Sequence, residues 1–85
     1  MWAQMPKRYR QASLEIRWRL ATNIKRLREV RGYTQEDLAR LCGLNKSYLS
    51  NVEQASMNVT LASLEAIAKG LGCTEEYLLT RHSNA

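Results

Sequence analysis

Thr34-Gln-Glu-Asp-Leu-Ala-Arg-Leu-Cys-Gly-Leu-Asn-Lys-Ser-Tyr-Leu-Ser-Asn-Val-Glu53 is the stretch on which the fold turns. It spells two short helices joined by a tight turn. Thr34 is placed to N-cap the first, its hydroxyl accepting from a free backbone N–H. Asp37, at the third helical position, reaches back in a variant of the capping box. Leu38, Ala39 and Cys42 recur at helical spacing and form one apolar stripe. Gly43 ends the helix, because glycine enters the left-handed region without a Cβ penalty. Leu44 plugs the turn, and Asn45 caps the next helix.

That next helix sorts its residues by face. At about 100° per residue, Lys46, Ser47, Ser50, Asn51 and Gln54 fall within an arc of roughly 140°. Tyr48, Leu49 and Val52 fall opposite. An outward face of short polar groups with one lysine suits a major groove, where base edges offer donors and acceptors. The pattern is that of a helix-turn-helix, with an ordinary helical hairpin and a solvated face as its bland alternative.

Outward from this centre, every segment reads as helix or connection. Leu14 to Arg31 contains no Gly or Pro, with Leu20, Ile24 and Leu27 at helical spacing and Ser13 as a cap. Leu14 and Trp18 extend its stripe toward the N-terminus, to fold over the bundle or to bury in a dimer, the former preferred. Gly32 ends it, and Arg28 and Arg31 suit its C-terminal dipole. Thr60 caps a fourth helix with the stripe Leu61, Leu64, Ile67, Ala68 and Leu71, ended by Gly70 or Gly72. Thr74 caps a fifth, with Glu75 and Glu76 in its first turn. The expected layout is a basic arm at 1–12, a helix-turn-helix DNA-binding domain at 13–80 and a tail at 81–85.

Eighty-five residues make one small domain, and 45% apolar content supports a packed core. Net charge is +5, unevenly spread. Residues 1–31 hold nine Lys/Arg against Glu15 and Glu29, while residues 32–85 hold four against six acids. A basic first third suits a polyanionic partner. Cys42 and Cys73 sit near the expected core and read as buried free thiols of a reducing compartment. One histidine, His82, in the tail makes no metal cluster. An apolar run of about 18 residues is absent, as is a hydrophobic signal core. The expectation is a cytoplasmic protein without a metal, cofactor or small-molecule ligand.

Residues 20–79 resemble the helix-turn-helix family of phage repressors and Cro proteins, often called the XRE family. The resemblance rests on Ile24-Lys-Arg-Leu-Arg28, Gly32-Tyr-Thr-Gln-Glu-Asp-Leu-Ala39, Gly43-Leu-Asn-Lys-Ser-Tyr-Leu-Ser50, Val52-Glu53 and Leu64-Glu-Ala-Ile-Ala-Lys-Gly-Leu-Gly72. It implies an all-α, five-helix repressor-like bundle, here with an extended first helix and an N-terminal arm. Ala55 stands where the family usually has Gly after helix three, and Val59 where it often has Pro. The loop Asn58-Val-Thr-Leu61 resembles that of controller proteins of restriction–modification systems.

The resemblance also implies roles. Lys46, Ser47, Ser50 and Asn51 match base-reading positions. Gln35 and Asn58 match backbone-phosphate contacts, and Tyr48 either reaches a phosphate or packs inward. Arg28 and Glu53 match a salt bridge between helices one and three. Leu78 and Leu79 fall where such proteins pair. The implied function is a transcriptional regulator that binds a palindromic double-stranded DNA operator as a homodimer through helix three. The alternative is an antitoxin-like interaction module with secondary DNA binding. An enzyme is disfavoured, since no nucleophile–base pair or carboxylate cluster in an apolar setting is present.

Overall fold

The computed structural model describes residues 7–82, with side chains from Leu14 onward. Five helices follow in order: α1 (Lys7–Val30), α2 (Gln35–Cys42), α3 (Lys46–Glu53), α4 (Leu61–Leu71) and α5 (Glu75–Leu79). No strand occurs among the described residues, so the all-α expectation holds. Among them, too, no helix is long and apolar enough to cross a membrane.

Local chemistry starts most of these helices. Thr34 Oγ1 accepts from Asp37 N at 3.0 Å while Thr34 N donates to Asp37 Oδ2 at 2.9 Å, closing a capping box. The backbone hydrogen bond from Thr34 holds the Asp37 carboxyl below the usual carboxylate range. Asn45, Thr60 and Thr74 cap α3, α4 and α5 in the same way. Gly43 ends α2 at φ 68°.

Several expectations are corrected. α1 begins at Lys7, well ahead of Ser13, because no helix breaker lies between Lys7 and Arg31 to require a cap there. The range 1–12 read as an arm is therefore helical from Lys7, while residues 1–6 lie outside the described residues, as do 83–85 of the tail. Gly72, at φ 71°, ends α4. Gly70 sits inside that helix and makes room for a neighbour. A Cβ there would stand 2.6 Å from Cys42 Sγ, so its missing side chain is what lets α4 close on the end of α2. Arg31 does not serve its own helix but donates from Nε to Leu71 O, capping α4.

The core gathers Ile24, Leu38, Leu49, Ile67, Leu71 and Leu78, all essentially inaccessible. α1 packs on α3 and α5, and α2 on α3 and α4. Cys42 and Cys73 are free, half-buried thiols whose pKa values burial raises. Asn23, which the hydrophobic pattern passes over, is buried and donates from Nδ2 to Leu78 O and Thr80 O, each at 2.8 Å, tying the end of α5 to α1. Leu14 and Trp18 do not fold over the bundle: they stay 44% and 55% exposed.

Candidate nucleic-acid interface

Three side chains from three elements hold α3 in place. Arg28 donates from Nε to Glu53 Oε2 at 2.7 Å and from Nη2 to Glu53 Oε1 at 3.0 Å. Its remaining nitrogen, Nη1, donates to Tyr33 O at 2.8 Å. Gln35 Nε2 adds a bond to Glu53 Oε1 at 3.1 Å. The hydrogen bond with Glu53 raises the Arg28 pKa above its ordinary value. A bidentate guanidinium–carboxylate pair of this kind has a fixed orientation as well as a large energy, so α3 is locked to α1 and to the start of α2. Leu49 and Val52 seat its apolar side in the core.

With that side fixed, the opposite side is presented to solvent. Lys46, Ser47, Ser50 and Asn51 line one shallow recess on the outer face of α3. Lys46, Ser47 and Asn51 are exposed and Ser50 is half-buried. The four expected base-reading side chains are thus brought together on one surface. After α3, Ala55 takes a left-handed conformation at φ 58°, at the position where the family usually has glycine. Ser56 Oγ donates to Asn51 O at 2.9 Å, fastening the loop that carries exposed Asn58 to the end of α3.

Three of the expected site residues sit otherwise than their sequence positions suggest. Gln35, at the start of α2, spends one amide hydrogen on Glu53 and does not line the recess. Tyr48 has a covered hydroxyl without a hydrogen-bond partner, so its ring packs inward and the phosphate-contact role is not the one its conformation supports. Leu78 is wholly buried in its own core and has no surface to offer a partner, whereas Leu79 borders a recess with Leu61, which is 83% exposed. Leu61 is the residue the sequence reading missed at this position: its place in the stripe of α4 suggested core, and only the packing shows it outside.

Chemically the four side chains on the outer face of α3 offer one ammonium, two hydroxyls and one amide, a set that both donates and accepts hydrogen bonds. The helix-turn-helix family described as HTH_3 matches residues 24–78. The control protein C.SmaI of Serratia marcescens is 38% identical over 68 residues, which span 80% of this chain and 81% of that protein. Among solved structures, a hypothetical transcription factor from Neisseria superposes with a TM-score of 0.74 at 40% identity, covering 76% of this chain and 75% of the other. The restriction–modification controller protein C.Esp1396I, solved as a tetramer in complex with its natural 35 base-pair operator, superposes at 0.69 with 38% identity, covering 74% and 83%.

Proposed function

The chain belongs to the HTH_3 helix-turn-helix family and is a DNA-binding transcriptional regulator, and we propose on that premise that it binds a palindromic operator as a dimer through α3. Lys46, Ser47, Ser50 and Asn51 read base edges in the major groove. Lysine donates to guanine O6 and N7, asparagine pairs with adenine through two hydrogen bonds, and the serines discriminate less. Gln35 and Asn58 contact phosphates on either side and set the register. Two copies related by a two-fold axis place their α3 helices in half-sites about one turn, roughly 34 Å, apart.

The observation that carries this reading is the polar face of α3 held outward by the Arg28–Glu53–Gln35 network. A reading helix must keep its orientation while its polar face is stripped of water, and a partly buried ion pair supplies that rigidity. The likeness to a controller protein solved on its operator supports a role in controlling a restriction–modification system. For the dimer contact we propose Leu79 with Leu61 in place of Leu78. Selection of duplexes from a randomised library tests the reading. A symmetric consensus with two half-sites is expected. Enrichment of no sequence would overturn it in favour of the interaction-module alternative.

A further inference from the structure

α1 runs past its own bundle. Arg19 Nη1 donates to Leu79 O at 3.3 Å where α1 crosses the end of α5. From there the helix continues back to Lys7, a span of about 18 Å at 1.5 Å per residue. All of this lies upstream of residues 24–78, the part matched by the family. Leu14 and Trp18, one helical turn apart on one face, are 44% and 55% exposed there.

A second unpartnered apolar surface lies close by. Leu61, Ala62, Leu64 and Leu79 line a recess between α4 and α5, with Glu65 and Glu75 at its rim. We propose that the N-terminal part of α1 from one copy seats Leu14 and Trp18 in this recess on a second copy, and that the exchange is reciprocal. The inference rests on the dimer reading above and says which surfaces make the dimer.

Charge and position both select this occupant. The helix that would dock belongs to the first 31 residues, with nine Lys/Arg against two acids, whereas the rest of the chain is net acidic. In sequence, the stretch from Lys7 to Trp18 carries Lys7, Arg8, Arg10 and Arg17 against Glu15, opposite in sign to the rim carboxylates. Leu79 belongs to both surfaces: its carbonyl receives Arg19 and its side chain lines the recess. α1 therefore leaves the bundle beside the recess, and a two-fold axis near Leu79 carries each projecting helix over the partner's recess, closing the assembly at two copies. Beside this face, Arg81 lies 3.9 Å from Glu15 of the same chain and borders one recess with Trp18, yet Leu14 and Trp18 remain exposed.

The test uses the full chain carrying Trp2→Phe, in which Trp18 is the remaining tryptophan. Trp18 emission is followed over a dilution series while sedimentation equilibrium gives the dimer fraction. A blue shift that tracks the dimer is expected. In parallel, Trp18→Ser and Leu61→Ser should each weaken the dimer by about tenfold or more, and the double variant by little more than either alone, because each removes the same contact. Both side chains are exposed in the protomer, so these variants keep their fold. A dimer whose formation leaves Trp18 emission unchanged, or whose two losses simply multiply, overturns the exchange and leaves the dimer reading standing. Emission that shifts only on adding duplex DNA overturns it in favour of a nucleic-acid contact. A monomer at every concentration overturns the dimer reading itself and this inference with it.

Discussion

Arg28 and Glu53, from helices one and three, meet through two parallel hydrogen bonds of 2.7 and 3.0 Å, with side chains only 11% and 3% exposed. Burial makes the pair costly to break from one side. Removing either partner leaves an uncompensated charge, at a cost of roughly 3–5 kcal/mol. Arg28→Met and Glu53→Leu are each expected to destabilise by about that amount, and the double variant to be more stable than the worse single one. Urea titrations of the four proteins give the coupling. Simple additivity within about 0.5 kcal/mol would reject the interaction.

Gly70 is predicted to resist even the smallest enlargement. In an exposed helix, Gly→Ala gains up to about 1 kcal/mol. Here the new methyl would meet Cys42 Sγ at 2.6 Å and Leu38 Cδ1 at 3.4 Å. Overpacking costs about 1–3 kcal/mol, so Gly70→Ala should lower the melting temperature. Adding Cys42→Ala removes the clashing sulfur and should recover part of the loss. A Gly70→Ala protein as stable as wild type would show that the helices separate freely.

The same two residues mark where sequence reading reaches its end. Thr34, Asn45, Thr60 and Thr74 announce their helices because capping is a contact between neighbours three residues apart. The outer face of α3 was legible for a similar reason, since helical periodicity alone groups Lys46, Ser47, Ser50 and Asn51. Gly70 read as a terminator because its partner, Cys42, belongs to another helix. Asn23 carried no signal in the sequence because its two acceptors lie more than fifty positions away. Gln35 announced a phosphate contact, and its bond to Glu53 was invisible for the same reason. In α5, five residues long, periodicity is too short to separate buried Leu78 from half-buried Leu79.

Tyr48 offers a test with opposite outcomes for its two roles. Its hydroxyl is covered and unpaired, and an unsatisfied buried polar group costs about 1–3 kcal/mol. Tyr48→Phe is therefore expected to raise stability by about 1 kcal/mol and to leave operator affinity unchanged. Loss of affinity in Tyr48→Phe would mean that the ring swings out to a phosphate when DNA binds.

The capping box gives acid sensitivity a defined sign. Asp37 has a folded pKa below its ordinary value, chiefly through the hydrogen bond from Thr34 N. Its contribution is complete above the unfolded pKa of about 3.9 and is lost as the pH falls through the lower folded value. Asp37→Asn should lose stability at neutral pH and lose less at pH 2, as followed by helical circular dichroism. Parallel curves for the two proteins would remove Asp37 from the acid response.

Base reading and backbone affinity separate under salt. Lys46 and Asn51 lie on the outer recess of α3, while the excess positive charge sits in the first 31 residues. Lys46→Ala and Asn51→Ala should each cost about 1–3 kcal/mol on the preferred operator and relax preference at one or two base pairs. Gln35→Ala should weaken selected and scrambled duplexes about equally, beyond any loss from freeing Glu53. Deleting residues 1–10 removes Lys7, Arg8 and Arg10. If these bind phosphates, the slope of log affinity against log salt becomes shallower by up to about 3. Salt titrations on both duplexes separate the cases. A ratio of selected to scrambled affinity that survives both Lys46→Ala and Asn51→Ala would mean that another element reads the sequence.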